Sequence, residues 1–170
     1  LNKDIAICLM TAIFTDTGGF SNSATNHKSL DIASELVRYG ASIERIHQAT
    51  MVNKKIVTMK LWGKIMTRIK TTSYGIVYAY ITQSDIAEYG LDETDLHGLS
   101  NYLGQMKDAR AVIVLTESKD QQIKVSMRTT HDDINLSKLA TFCGGGGHKK
   151  ASGFATRGKL VEYEDIVQVV

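Results

Sequence analysis

The chain has 170 residues, with 20 Lys+Arg against 18 Asp+Glu for a formal net charge of +2, and is 43% hydrophobic and 22% charged. This is the make-up of an ordinary globular protein: no run approaches the ~18 apolar residues of a membrane span, and the apolar start at residues 5–14 lacks the basic flank and cleavage site of a signal peptide. Cys8 and Cys143 stand far apart with no CxxC pair, which argues against a disulfide framework or a zinc knuckle and for a reducing, cytoplasmic setting.

In chain order, residues 5–14 are apolar nearly all round and predict a buried helix that stops at Thr15-Asp16-Thr17-Gly18-Gly19. Leu30, Ala33, Leu36 and Val37 recur at helical spacing up to Gly40, a natural helix stop, and Ser42 is placed to cap a short helix carrying Ile43, Ile46 and Ala49. Three helices without a strand make a poor core, so residues 1–50 read as the tail of a larger α/β domain whose sheet is missing. A start on Leu1, with an apolar run by Ile5, also reads as a fragment beginning inside a domain.

Residues 54–70 set Met59, Trp62, Ile65, Met66 and Ile69 on one face and predict an amphipathic connecting helix within 51–72. After it the period changes. Residues 75–82 and 111–116 suit strands, and Ile123, Val125 and Met127 alternate with Lys124, Ser126 and Arg128 as in a half-buried strand. Between the first two strands, Leu96, Leu99, Leu103 and Met106 predict a helix with Asp92 or Asp95 near its start, where acid suits the helix dipole. Leu136, Leu139 and Ala140 predict a short helix, and residues 160–170 a closing strand. The expected fold class is therefore α/β, with a mixed-sheet domain and flanking helices over 73–170.

The small net charge hides segregation. Residues 51–70 hold Lys54, Lys55, Lys60, Lys64, Arg68 and Lys70 with no acid; residues 84–100 hold Asp85, Glu88, Asp92, Glu93 and Asp95 with no Lys or Arg; residues 142–160 are basic again. Basic runs attract phosphate, but one on a helix is first a solvated face.

Two motifs carry chemistry. In Gly144-Gly145-Gly146-Gly147-His148-Lys149-Lys150-Ala151-Ser152-Gly153-Phe154, four glycines are expensive in conformational entropy and persist where a ligand approaches the backbone closely. Their N–H groups can form an anion nest, with His148, Lys149 and Lys150 adding donors and charge, so a phosphate site is the natural inference over a flexible loop. In Thr15-Asp16-Thr17-Gly18-Gly19-Phe20, the carboxylate of Asp16 is either one oxygen ligand to Mn²⁺ or Mg²⁺ or simply the end of a helix.

These motifs, with Gly98-Leu99-Ser100-Asn101-Tyr102 and Ser126-Met127-Arg128, follow the order and approximate spacing of the DHH phosphoesterase family, which the chain resembles along nearly its whole length. The likeness is greatest to the branch of bacterial oligoribonucleases that also remove phosphate from 3′-phosphoadenosine 5′-phosphate. The resemblance implies that residues 1–50 are the C-terminal part of a catalytic domain holding two manganese ions, and that residues 73–170 are a domain gripping nucleotide and phosphate. It makes Asp16 a metal ligand, Arg128 a substrate-phosphate contact, and Gly145, Gly146, Gly147 and His148 a phosphate cradle with Lys149 beside it. The implied partners are short RNA oligonucleotides or nucleotide phosphates and no membrane; the oligomeric state, a homodimer included, stays open.

The departures matter. The chain has no Asp-His-His triplet and no upstream Asp-x-Asp, so most of the implied metal cluster is absent and the fragment is expected to be inactive alone. His131-Asp132-Asp133 reads as turn residues, His97 replaces an expected acid on a surface helix, and His27 and His47 read as solvent-facing. Two alternatives are a cyclic-dinucleotide phosphodiesterase of the same family, separable by comparing pApA with a cyclic dinucleotide, and a non-enzymatic nucleic-acid-binding module. The latter would bind structured RNA with a steep salt slope.

Overall fold

The computed structural model describes residues 1–22, 24–52, 54–163 and 166–170, and divides after Lys54 into the units Leu1–Lys54 and Lys55–Val170. In the first, local capping fixes each helix start. Asn2 Oδ1 accepts from the Ile5 N–H at 2.9 Å to open α1 (Lys3–Asp16), Asn26 and Ser29 form a reciprocal capping box at α2 (His27–Arg38), and Ser42 Oγ accepts from the Arg45 N–H at 3.2 Å to open α3 (Ile43–His47). A wider π-type turn, Gln48–Val52, follows α3.

Ala6, Met10 and Phe14 of α1 pack with Ala33, Leu36, Ala41 and Ile46. The expectation of an α1 buried all round fails: Ile5 is 49% and Leu9 46% exposed, because α2 and α3 supply only enough surface to cover one face within this unit. Leu30 and Val37, expected on the buried stripe of α2, are also exposed.

The second unit is built on a six-stranded mixed sheet, order β1-β2-β3-β4-β6-β5, formed by Lys70–Thr71, Ile76–Ile81, Ala111–Glu117, Gln122–Arg128, Gly146–His148 (β5) and Ala151–Arg157 (β6). Only β2 and β3 run parallel; the other neighbours are antiparallel. The β2–β3 crossover carries α5 (Gln83–Glu88), a 3₁₀ turn (Glu93–Leu96) and α6 (Leu99–Leu103). These join α4 (Ile56–Met66) on one sheet face, where Leu61, Trp62, Ile65, Leu99 and Leu103 pack on Val77, Ala79, Val112 and Val114. The opposite face is covered by α7 (Leu136–Phe142), whose Leu136 and Ala140 pack on Ile123, Val125 and Met127.

Four sequence expectations are corrected. The 54–70 helix is shorter, Met59 is exposed and Leu61 takes its buried place; α4 thus belongs to the core of the second unit. The single helix through Leu96 and Met106 is broken at Gly98, whose φ of 100° is a left-handed conformation that a side chain would oppose. The segment 84–100 contains α5, which was not expected. The closing strand is an antiparallel pair, β7 (Leu160–Tyr163) and β8 (Ile166–Val169); Glu164 and Asp165 lie outside the described residues. No helix of the described residues is long and apolar enough to cross a membrane.

Candidate functional site

Residues paired directly across antiparallel strands share a sheet face. The register therefore puts Lys124, Ser126 and Arg128 of β4 on one face with Ala155, Gly153 and Ala151 of β6, and with Thr116, Val114 and Val112 of β3. The side chains of β6 on that face are small, and the helices reach no further across the sheet than the Arg128 end of β4, where α6 lies. A cleft of about 710 Å³ remains, bounded by α6 and the residues before it and floored by β4 and β6. That volume suits a ligand of nucleotide size.

Among the described residues, Arg128 and Lys124 are the Lys and Arg side chains that line this cleft, and Arg128 is the half-buried one. Its Nε donates to Asn101 Oδ1 at 2.8 Å and its Nη1 to the Met127 carbonyl at 2.8 Å. Gly104 lies against it, since a Cβ there would come within 2.6 Å of the Arg128 Cβ. Burial pushes the Arg128 pKa down from the ordinary guanidinium value. Among the described residues no carboxylate pairs with it. A guanidinium partly withdrawn from water with only neutral partners is matched by an anion such as phosphate, which it can grip through two parallel N–H bonds.

The glycine run divides by role. Gly144 ends α7, and a Cβ on Gly145 would collide with the Gly153 carbonyl, while one on Gly153 would lie 2.6 Å from the Val125 carbonyl. A Cβ on Gly147 would lie 2.6 Å from the Ala151 carbonyl. Close strand packing therefore accounts for Gly145, Gly147 and Gly153. Gly146 differs: it pairs with Gly153 on the cleft face, and nothing lies within 4 Å of where its Cβ would be. His148 pairs with Ala151, which pairs with Arg128, so the three form one row across β5, β6 and β4, with His148 and Arg128 separated by two strand spacings, about 10 Å. Lys149 is exposed in the two-residue turn after β5, whereas Lys150 is held by Asp132 at 2.7 Å and Thr130 O at 3.3 Å.

Three of the six cations of residues 51–70 pair with the acidic segment, and Lys70 pairs with Glu162 instead, at 3.7 Å. Lys64 lies 2.9 Å from Asp85 and 2.6 Å from Glu88, Arg68 lies 2.7 Å from Asp85, and Lys55 lies 2.9 Å from Asp95. Those charges are engaged away from the cleft, which Arg128 and Lys124 line.

Asp16 ends α1, exposed; its carbonyl accepts from Asn22 Nδ2 at 2.9 Å. Among the described residues no three His, Cys, Asp or Glu side chains cluster to hold a metal. Asp16 thus has no second and third ligand beside it among the described residues, which do not by themselves make a manganese site. His131, Asp132 and Asp133 form a turn region, with Asp133 3.3 Å from Arg110, and His27 and His47 are exposed. His97 caps the 3₁₀ turn and lines the cleft rather than lying on a surface helix. Asn101 and Lys124 are cleft residues to which the sequence assigned no role: Asn101 stood inside the quoted Gly98–Tyr102 motif, and Lys124 in the alternation of β4.

Comparison with known proteins follows the same lines. The DHHA1 domain model matches residues 73–170. The chain is 30% identical over 153 residues to the bifunctional oligoribonuclease and PAP phosphatase NrnA of Bacillus subtilis, covering 90% of this chain and 48% of that protein. It is 27% identical over 170 residues to the protein of the same name from Thermus thermophilus, covering 98% and 50%. A solved exopolyphosphatase-related protein from Bacteroides fragilis matches with a TM-score of 0.78 at 27% identity, over 90% of this chain and 45% of that one. The chain spans about half the length of the curated relatives it matches.

Proposed function

This chain belongs to the DHHA1 domain family, and from that membership and the cleft geometry we propose that its second unit is the substrate-gripping part of a phosphoesterase acting on short oligoribonucleotides or 3′-phosphoadenosine 5′-phosphate. The observation that carries the reading is Arg128: a half-buried guanidinium whose partners among the described residues are neutral, facing a cleft whose floor includes Ser126 and Gly153. Arg128 grips a phosphate of the nucleotide. Gly146 lets the ligand approach the strand backbone, and His148 and Lys149 add donors along the same edge. The names of the relatives in Bacillus subtilis and Thermus thermophilus support the choice of substrate class.

The described residues bind and orient; among them no complete hydrolytic centre is assembled. Manganese, where it acts, would neutralise phosphoryl oxygens and activate water, with Asp16 as one ligand among others that the described residues do not bring beside it. The reading places the protein in the cytoplasm, which suits its two unpaired cysteines.

Titration of the chain with pApA and with 3′-phosphoadenosine 5′-phosphate, in manganese and in EDTA, tests this. The expected result is metal-independent binding that Arg128→Ala and His148→Ala each weaken. Binding that Arg128→Ala leaves unchanged would overturn the reading, as would manganese-dependent turnover of pApA by the purified chain for the claim of inactivity. A preference for a cyclic dinucleotide over pApA would move the assignment to the phosphodiesterase alternative.

A further inference from the structure

We propose that Asn101 is a positioning residue that aims the Arg128 guanidinium into the cleft while leaving its positive charge uncompensated for the ligand; this rests on the reading of Arg128 as the phosphate grip. Three observations converge. Asn101 Oδ1 takes the Arg128 Nε–H at 2.8 Å and the Met127 carbonyl takes one Nη1–H at 2.8 Å, so two of the five guanidinium N–H groups are used by neutral oxygens. The other three have no partner among the described residues, and both side chains line the same cleft. Behind them, Gly104 abuts the Arg128 stem so closely that a methyl group there would displace it, which fixes the root of the side chain while Asn101 fixes its head.

The choice of amide over carboxylate is the informative part. Asp is isosteric with Asn and at 2.8 Å would form a charge-assisted bond with Arg128, the stronger partner for a half-buried cation. It would also occupy the charge that a phosphate has to meet. Asp would hold the fold at least as well here; an uncharged acceptor orients the fork without competing with an anion. Stability and ligand affinity should therefore move in opposite directions at this position, which a purely structural role does not predict.

The test uses the whole 170-residue chain, with pApA as probe, and compares Asn101→Asp, Asn101→Ala and Arg128→Ala by titration, thermal unfolding and the NMR signal of the Arg128 Nε–Hε group. Asn101→Asp is expected to melt at or above the wild-type temperature, keep a sharp Arg128 Nε–Hε resonance, and lose about tenfold or more in affinity for pApA, the scale of one charge-assisted interaction. Asn101→Ala is expected to lose affinity severalfold, with the Nε–Hε resonance broadened by faster solvent exchange and freer rotation. If Asn101→Asp binds pApA within twofold of wild type while Arg128→Ala does not, the inference about Asn101 is overturned and the role of Arg128 stands. If Arg128→Ala binds as wild type does, the underlying reading falls and takes this inference with it. An unchanged Nε–Hε resonance in Asn101→Ala also overturns the positioning role.

Discussion

Substituting Asp85 by Asn removes one charge from a site that three elements share. The Asp85 side chain is 2% exposed; it accepts from the Thr82 N–H at 3.0 Å and Thr82 Oγ1 at 2.8 Å to cap α5, and pairs with Lys64 at 2.9 Å and Arg68 at 2.7 Å. Asn keeps an acceptor for Thr82, so the cap survives and the ion pairs are what is lost. Breaking a fully buried pair costs about 3–5 kcal/mol. The Lys64 and Arg68 side chains are each 28% exposed and Lys64 retains Glu88, so solvent screening brings the expected loss to about 2–3 kcal/mol. For a unit of this size that is a fall in Tm of about 8–12 °C, read by circular dichroism at pH 7.

The two cations and the Thr82 donors hold the Asp85 carboxyl well below the usual carboxylate range, against the opposing effect of burial. A carboxylate depressed in the folded state contributes stability that is fully present above its unfolded pKa of about 3.9 and is lost as pH falls through the folded value. The difference between wild type and Asp85→Asn should accordingly shrink below about pH 4. A fall in Tm under about 4 °C at pH 7, or an equal penalty at pH 7 and pH 2.5, would refute the argument.

The glycines offer a contrast on one strand pair. Gly145→Ala and Gly153→Ala force a methyl into a neighbouring carbonyl and should each cost about 1–3 kcal/mol in chemical denaturation, whereas Gly146→Ala meets open space and should leave the unfolding midpoint nearly unchanged while weakening pApA binding. Equal destabilisation by all three would contradict the division of roles. Gln121 sits in the β3–β4 turn at φ 55°, so Gln121→Gly should raise stability by about 0.5–1 kcal/mol; a loss would show that the side chain matters more than the backbone. Chelation by EDTA should leave the affinity of this chain for pApA unaltered, because no ligand cluster among the described residues joins the cleft.

How far the sequence discloses these features depends on whether a feature is local. Ser42 as a cap, the glycine stops and the alternation of residues 122–128 are read correctly because each is decided within a few residues. Helix α5 escapes because its six residues carry one buried apolar side chain, Ile86; its only signal is the capping pair Thr82 and Asp85. Strand β6 escapes because Ala151, Gly153 and Ala155 erase the apolar alternation on its cleft face. The size of those residues is what opens the cleft. Of the site, Arg128 and the glycine run are legible as residue types. Asn101 is not, because its role exists only once α6 lies against the end of β4.

Charge shows the same division between type and place. By count, residues 51–70 are the strongest phosphate-attracting segment in the chain, yet Lys55, Lys64 and Arg68 spend their charge on Asp85, Glu88 and Asp95, joining α4 to the β2–β3 crossover. Lys150 in the glycine-histidine turn is likewise met by Asp132. Arg128 shares its strand with one other cation, Lys124, adds one unit to a balanced total, and would pass unnoticed in a charge profile. Its partners are an amide oxygen and a peptide carbonyl, and among the described residues no carboxylate pairs with it, though Glu93 and Asp120 also line the cleft. On the proposed reading, what distinguishes the binding cation from the structural ones in this unit is the charge of its partners, which makes the neutrality of Asn101 as much a part of the proposed site as the charge of Arg128.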